Sequence, residues 1–232
     1  MSPLSDSVEP VAGLQAAASE EAVLARSRDA MVATQIIARG VRDQRTLAAM
    51  REVPRHFFVP PGLASEAYAD HPLPIGHSQT ISQPYIVAFM TEALALKGGE
   101  TVLDVGSGSG YQAAVLARIA KKVFGIEIVE PLAREAKERL ARLGYTNVEI
   151  RAGDGYLGWP EHAPFDAILV AAAAPRVPEP LKQQLKDGGR LILPVGDYVQ
   201  ELKIVTRRGS KFEERNVLAV HFVPMTGEIR KD

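Results

Sequence analysis

The sequence predicts an α/β fold, a Rossmann-like, doubly wound, mostly parallel sheet with antiparallel C-terminal strands and an N-terminal helical segment. Three observations predict it. From Lys97 onward, strand-length apolar runs alternate with helix-length amphipathic ones, the pattern of parallel strands joined by right-handed crossovers. The first of these strands, "TVLDV", runs directly into the glycine-rich "GSGSG" and then into a helix. The chain has 232 residues and is 46% hydrophobic, enough for a sizeable core, yet no apolar run approaches the roughly 20 residues that span a bilayer.

The elements follow in order. Residues 1 to about 13 read as a disordered lead-in rich in Ser and Pro. "LQAAASEEAVLARSRDAMVATQIIARG" reads as helix, with a break expected near Ser27 and Gly40 as its stop. "DQRTLAAMREVP" is a second helix, with Asp43 as N-cap and Pro54 as terminator. The stretch "RHFFVPPGLASEAYADHPLPIG" is rich in Pro and reads as loop. Pro84 is placed for the first turn of "PYIVAFMTEAL". Then come "YQAAVLARIA" as helix, "KKVFGIEI" as strand and "PLAREAKERLARLG" as helix, followed by the strands "VEIRAGDG" and "FDAILVAAAA". "PEPLKQQLKDGG" is the last helix, "RLILPVG" the next strand, and "ELKIVTRRG" and "NVLAVHFVPM" the antiparallel pair.

Composition excludes several function classes. The chain carries 27 basic and 28 acidic residues, so a nucleic-acid partner has no electrostatic footprint and none is expected. It contains no cysteine, which removes disulfides, thiolate nucleophiles and cysteine metal sites together. Its five histidines show no ligand spacing, and no metal is expected. "MSPLSDSVEP" lacks the basic and apolar regions of a secretory signal, so a cytoplasmic, membrane-free protein is expected.

The ligand-binding signal is "LDVGSGSGYQAA". Gly106, Gly108 and Gly110 follow a buried strand and open a helix, where glycine permits positive φ and close approach of backbone to ligand. The dinucleotide fingerprint GxGxxG requires glycine where this chain has Tyr111. Asp104 precedes the loop; a carboxylate there repels a pyrophosphate and suits a ligand bearing an ammonium group. Glu127 closes the next strand, where it can accept both hydroxyls of a ribose, and Asp154 in "GDG" closes the third, facing an adenine amino group. Three acids at three successive strand ends fit S-adenosylmethionine better than NAD.

At these residues the chain resembles the protein-L-isoaspartate (D-aspartate) O-methyltransferase family of class I S-adenosylmethionine-dependent methyltransferases. The resemblance runs from about Ala30 to Thr226 and is carried by "MVATQIIARGVRD", "VPRHFFVP", "AYADHPLPIGHSQTISQPYIVAFMTEAL", "VLDVGSGSGYQAAVLA", "GDG", "APFDAILV" and "GGRLILPVG". It implies methyl transfer to the free α-carboxylate of L-isoaspartyl residues in damaged proteins and peptides, which starts repair through a succinimide; D-aspartyl residues are left open as a second acceptor. It implies Ser82 as the catalytic residue, whose hydroxyl orients a carboxylate that an Arg or Lys clamp would hold back. The cofactor contacts it implies are Gln79, Thr80, Ile81 and Ser82; Asp104 with Gly106, Ser107, Gly108 and Gly110; Glu127 and Ile128; Asp154 and Gly155; and Thr226. The glutamine that accompanies Thr226 in some members has no counterpart in "TGEIRKD", and His77 stands where many relatives carry a smaller residue.

On this reading residues 1–29 form an N-terminal extension, partly disordered or helical. Residues 30–232 form one methyltransferase domain, with 30–95 on the substrate side and 96–232 the cofactor-binding core. Oligomeric state is open, with a monomer favoured. Ser82 on its own also reads as a helix N-cap. Rival functions are an RNA or small-molecule N-methyltransferase, an NAD oxidoreductase and a silent binding module. Against the first, the fourth strand ends "VAAAAPRVP", without the proline–aromatic motif that often receives an amine.

Overall fold

The structure, a computed structural model, describes residues 9–231. The first part of the expected Ser/Pro lead-in therefore lies outside the described residues, and helix α1 (Glu9–Met31) already covers the rest of it. The helix passes through Ser27 without a break. The irregularity comes later, as a π-helical turn over Val32–Ile36 and a short 3-10 turn, and it ends at Gly40 with φ of 98°. Asp43 caps α2 (Gln44–Glu52) as expected, its carboxylate accepting from the Thr46 amide at 2.8 Å.

The proline-rich stretch hides a small hairpin. Strands β1 (Leu73–Gly76) and β2 (Gln79–Ile81) pair antiparallel around a tight turn in which Gly76, His77 and Ser78 all have positive φ. Helix α3 (Pro84–Ala93) follows, with Pro84 in its first turn. Its N-cap is Gln83 and no side chain caps it, so the N-cap reading of Ser82 is not realised.

The main sheet is built from β3 (Thr101–Val105), β4 (Lys122–Glu127), β5 (Val148–Ala152), β6 (Phe165–Val170), β7 (Leu185–Val195), β8 (Gln200–Arg208) and β9 (Lys211–Val220). Between them run α4 (Tyr111–Ala117), α5 (Glu130–Arg142) and α6 (Glu179–Gln183). The order is β5-β4-β3-β6-β7-β8-β9, with β3 to β7 parallel and β8 and β9 antiparallel. Alternation along each strand divides the interior into two cores. Val102 on β3 and Ala167 and Leu169 on β6 join the core shared with α3, α4 and α5. Leu103 and Val105, with Ile168 and Val170, join the core behind α6. Trp159 belongs to this second core, edge-on to Phe124 at 5.3 Å.

Two boundaries differ most from expectation. The sequence places "LKDGG" with the helix, but it belongs to β7, because Leu185 pairs with Phe165 and is fully buried, and α6 stops at Gln183. The last strand starts at Lys211 and ends at Val220, earlier at both ends than the apolar run "NVLAVHFVPM", because its first half pairs with β8 through exposed charged residues.

Candidate active site

The parallel strands β3 and β4 end side by side, in register from Thr101–Lys122 to Val105–Ile126. Just beyond them the chain turns over "GSGSG", with φ of 81°, 52° and 88° at Gly106, Gly108 and Gly110. At Gly110 space is also tight, since a Cβ would lie 3.0 Å from Leu140 Cδ1 of α5. Glu127 turns back over this loop. Its buried carboxylate accepts from the Gly108 amide at 2.8 Å and the Val129 amide at 2.9 Å, which fixes its orientation.

A cavity opens over these strand ends. It is lined by Gln79, Thr80, Ile81, Ser82, Gly106, Ser107, Gly108, Glu127, Ile128, Gly155 and Thr226, all expected from the sequence. Three expected residues lie outside the lining. Gly110 is buried as the N-cap of α4. Asp104 sits fully buried beneath the loop. Asp154 accepts from the Tyr156 amide at 2.9 Å and the Glu228 amide at 2.7 Å, so it ties the C-terminal segment to the end of β5. Sequence reasoning missed Tyr111, Gln112 and Val223 to Met225, which also line the cavity. An aromatic directly after the glycine loop was a readable signal for Tyr111; the C-terminal segment carried none.

Asp104 is the electrostatic anomaly. Both of its carboxylate oxygens are buried without a hydrogen-bond partner among the described residues. Burial raises its pKa from 3.8 to about 7, with the Ser107 hydroxyl opposing and Glu127 adding to the rise. An unpartnered carboxylate buried beneath a ligand cavity is relieved by taking up a proton or by a donor or cation from the ligand. The cavity lining contains Glu127 and no Lys, Arg or His. A pyrophosphate would meet like charge and no counter-charge, whereas the ammonium, ribose hydroxyls and sulfonium of S-adenosylmethionine match the groups present.

A second, larger groove adjoins the first. Thr80, Ser82 and Thr226 line both. The groove runs past Ile86 on α3, along Leu218 to Pro224, to Tyr198, which is wholly exposed in the β7–β8 turn. Its charged neighbours are paired within the protein. Arg39 bridges Asp70 at 3.3 Å and lies 3.6 Å from the Tyr85 ring centroid, and Arg230 holds Asp197. The Ser82 side chain makes no hydrogen bond with the described residues, so its hydroxyl is available where the two spaces meet. His77 stands exposed at the hairpin tip, outside both linings. Among the described residues no group of His, Asp and Glu could hold a metal ion, and no helix is long and apolar enough to cross a membrane.

The comparisons with known proteins agree with this geometry. The family model for protein-L-isoaspartate(D-aspartate) O-methyltransferase matches residues 26–230. Protein-L-isoaspartate O-methyltransferase 2 of Shewanella sediminis is 57% identical, covering 89% of this chain and 86% of the relative. The Opitutus terrae protein-L-isoaspartate O-methyltransferase is 55% identical, covering 91% of each. Among solved structures, a Plasmodium falciparum protein described as a protein-L-isoaspartate O-methyltransferase, in complex with S-adenosyl-L-homocysteine, superposes with a TM-score of 0.75 at 29% identity, covering 86% of this chain and 98% of that one.

Proposed function

Because the chain belongs to the protein-L-isoaspartate(D-aspartate) O-methyltransferase family, we propose how its own residues carry out that chemistry. The protein transfers a methyl group from S-adenosylmethionine to the free α-carboxylate of L-isoaspartyl residues in damaged proteins and peptides. One observation carries the assignment of roles: Ser82 and Thr80 border both the cavity over the strand ends and the groove outside it. A donor in the first space and an acceptor in the second meet at these two hydroxyls.

The cofactor supplies an electrophilic methyl group on a sulfonium. In our reading Glu127 receives the ribose hydroxyls, Asp104 faces the ammonium end, and the 79–82 segment closes over the methyl group. The acceptor carboxylate is ionised at neutral pH, so no general base is required. One of its oxygens forms the bond to the methyl carbon as the carbon–sulfur bond breaks, leaving a methyl ester and a neutral thioether. The protein's task is alignment. The Ser82 hydroxyl donates to the carboxylate and orients it without the tight grip of a cation. The ester is then a better leaving group than the carboxylate, and the following backbone nitrogen closes the succinimide whose hydrolysis returns some normal aspartate. D-aspartyl residues remain a second candidate acceptor.

The decisive experiment pairs a peptide containing isoaspartate with its normal aspartyl twin and methyl-labelled cofactor. Label should enter only the isoaspartyl peptide, as an alkali-labile ester. Equal labelling of both, or an alkali-stable product, overturns the assignment.

A further inference from the structure

The segment "VPRHFFVP" has no place in the roles just described, yet it contains the most anomalous cation in the molecule. Arg55 has no exposed surface. Its Nε donates to the Ala67 carbonyl at 2.7 Å, and neither Nη1 nor Nη2 has a hydrogen-bond partner. No acid pairs with it among the described residues; its surroundings are tyrosines. Burial lowers its pKa to about 10, so it remains charged at neutral pH. A buried charge without a counter-charge is costly, and an apolar residue of the same length would serve packing at least as well.

What the guanidinium does touch is the wall of the cofactor cavity. Its Cζ lies 5.0 Å from the centroid of the Tyr111 ring, and Phe58 from the same segment meets that ring edge-on at 5.4 Å. Tyr111 is the residue directly after the glycine loop, is fully buried, and lines the cavity. The lining itself offers no cation, and Glu127 stands at the ribose end. The methionyl end of the cofactor carries a carboxylate that has no counter-charge within the lining.

We propose that Arg55 is a positioning residue that supplies this counter-charge from behind Tyr111, biasing the cofactor to lie with its carboxylate toward the Tyr111 wall and away from Glu127. The inference rests on the cofactor assignment above but is independent of the acceptor, so it is tested by binding alone. Calorimetry compares S-adenosylhomocysteine with its decarboxylated analogue, which keeps the ammonium. Arg55→Met should weaken S-adenosylhomocysteine about tenfold, the scale of one charge pair about 12 Å apart at an effective dielectric of about 20, and change the analogue by less than about twofold. Arg55→Lys, which keeps the charge, should restore most of the affinity. Because Arg55→Met removes a desolvated charge, its melting temperature should equal or exceed that of the parent. If that variant fails to fold, Arg55→Gln reads the same difference between ligands. Equal weakening of both ligands, or of neither, overturns the proposal, and either result leaves the isoaspartyl assignment standing.

Discussion

The two spaces that meet at Ser82 are built in different ways. The donor cavity stands on the ends of β3 and β4, with the glycine loop and Glu127 supplied by a single stretch of chain, and the backbone amides of that stretch fix the acid. The acceptor groove is assembled from segments far apart in sequence: the end of the β1–β2 hairpin, the first turn of α3, the β7–β8 turn and the segment after β9. The floor of the donor side is anchored in hydrogen-bonded sheet, with the 79–82 and 223–226 segments closing over it. The acceptor side presents a wholly exposed tyrosine, with its flanking charges already paired. A single unvarying ligand needs the first kind of site. A substrate defined by one damaged residue, whatever its neighbours, suits the second.

That contrast predicts separable defects. The largest should come from Glu127→Ala, which removes the proposed ribose partner and leaves the Gly108 and Val129 amides unsatisfied. Affinity for S-adenosylhomocysteine should fall about a hundredfold, on the scale of about 3 kcal/mol for a charge-assisted hydrogen-bonded group. The KM for an isoaspartyl peptide at saturating cofactor should stay near that of the parent. A comparable rise in the peptide KM would erase the division between the sides.

Ser82→Ala is the reciprocal case. It should lower kcat by roughly tenfold to a hundredfold through lost alignment, with little change in S-adenosylhomocysteine binding measured by calorimetry. Unchanged kcat would remove the hydroxyl from the mechanism.

The smallest effect sharpens the donor side alone. The folded pKa of Asp104 lies above its ordinary value, so keeping it ionised in the empty site opposes folding, and that penalty grows as pH rises from 3.8 towards about 7. A ligand ammonium favours the ionised form. Affinity for S-adenosylhomocysteine should therefore rise as pH climbs towards about 7, by up to about tenfold in all, and level off above. Asp104→Asn should bind more weakly and flatten the profile. A parent profile with no slope in that window would mean that Asp104 does not change charge on binding.

The same contrast explains what could be read from the sequence. The parallel strands and the glycine loop announce themselves, because an apolar strand followed by glycines and an acid is a local pattern. So is Asp43 before α2. The β1–β2 hairpin was invisible, because "PLPIGHSQ" has too many prolines and too little alternation to read as strands. The groove was invisible for a deeper reason, since no single segment carries it. Ser82 was found only through resemblance; alone it read as a cap. "LKDGG" was misassigned because its glycines look like a helix stop, whereas the buried Leu185 beside Phe165 pulls the segment into the sheet.

The clasp at Asp154 bears on how the molecule matures. Its carboxylate accepts the Glu228 amide, and a Cβ on Gly227 would come within 2.4 Å of its Oδ2, so the chain passes here only because position 227 is glycine. Thr226, one residue earlier, belongs to the rim of the cofactor cavity. Translation delivers residues 226–228 only after every strand of the sheet has been made. The seven strands are thus complete without residues 226–228, and docking of that segment at Asp154 is what gives the donor pocket its last side.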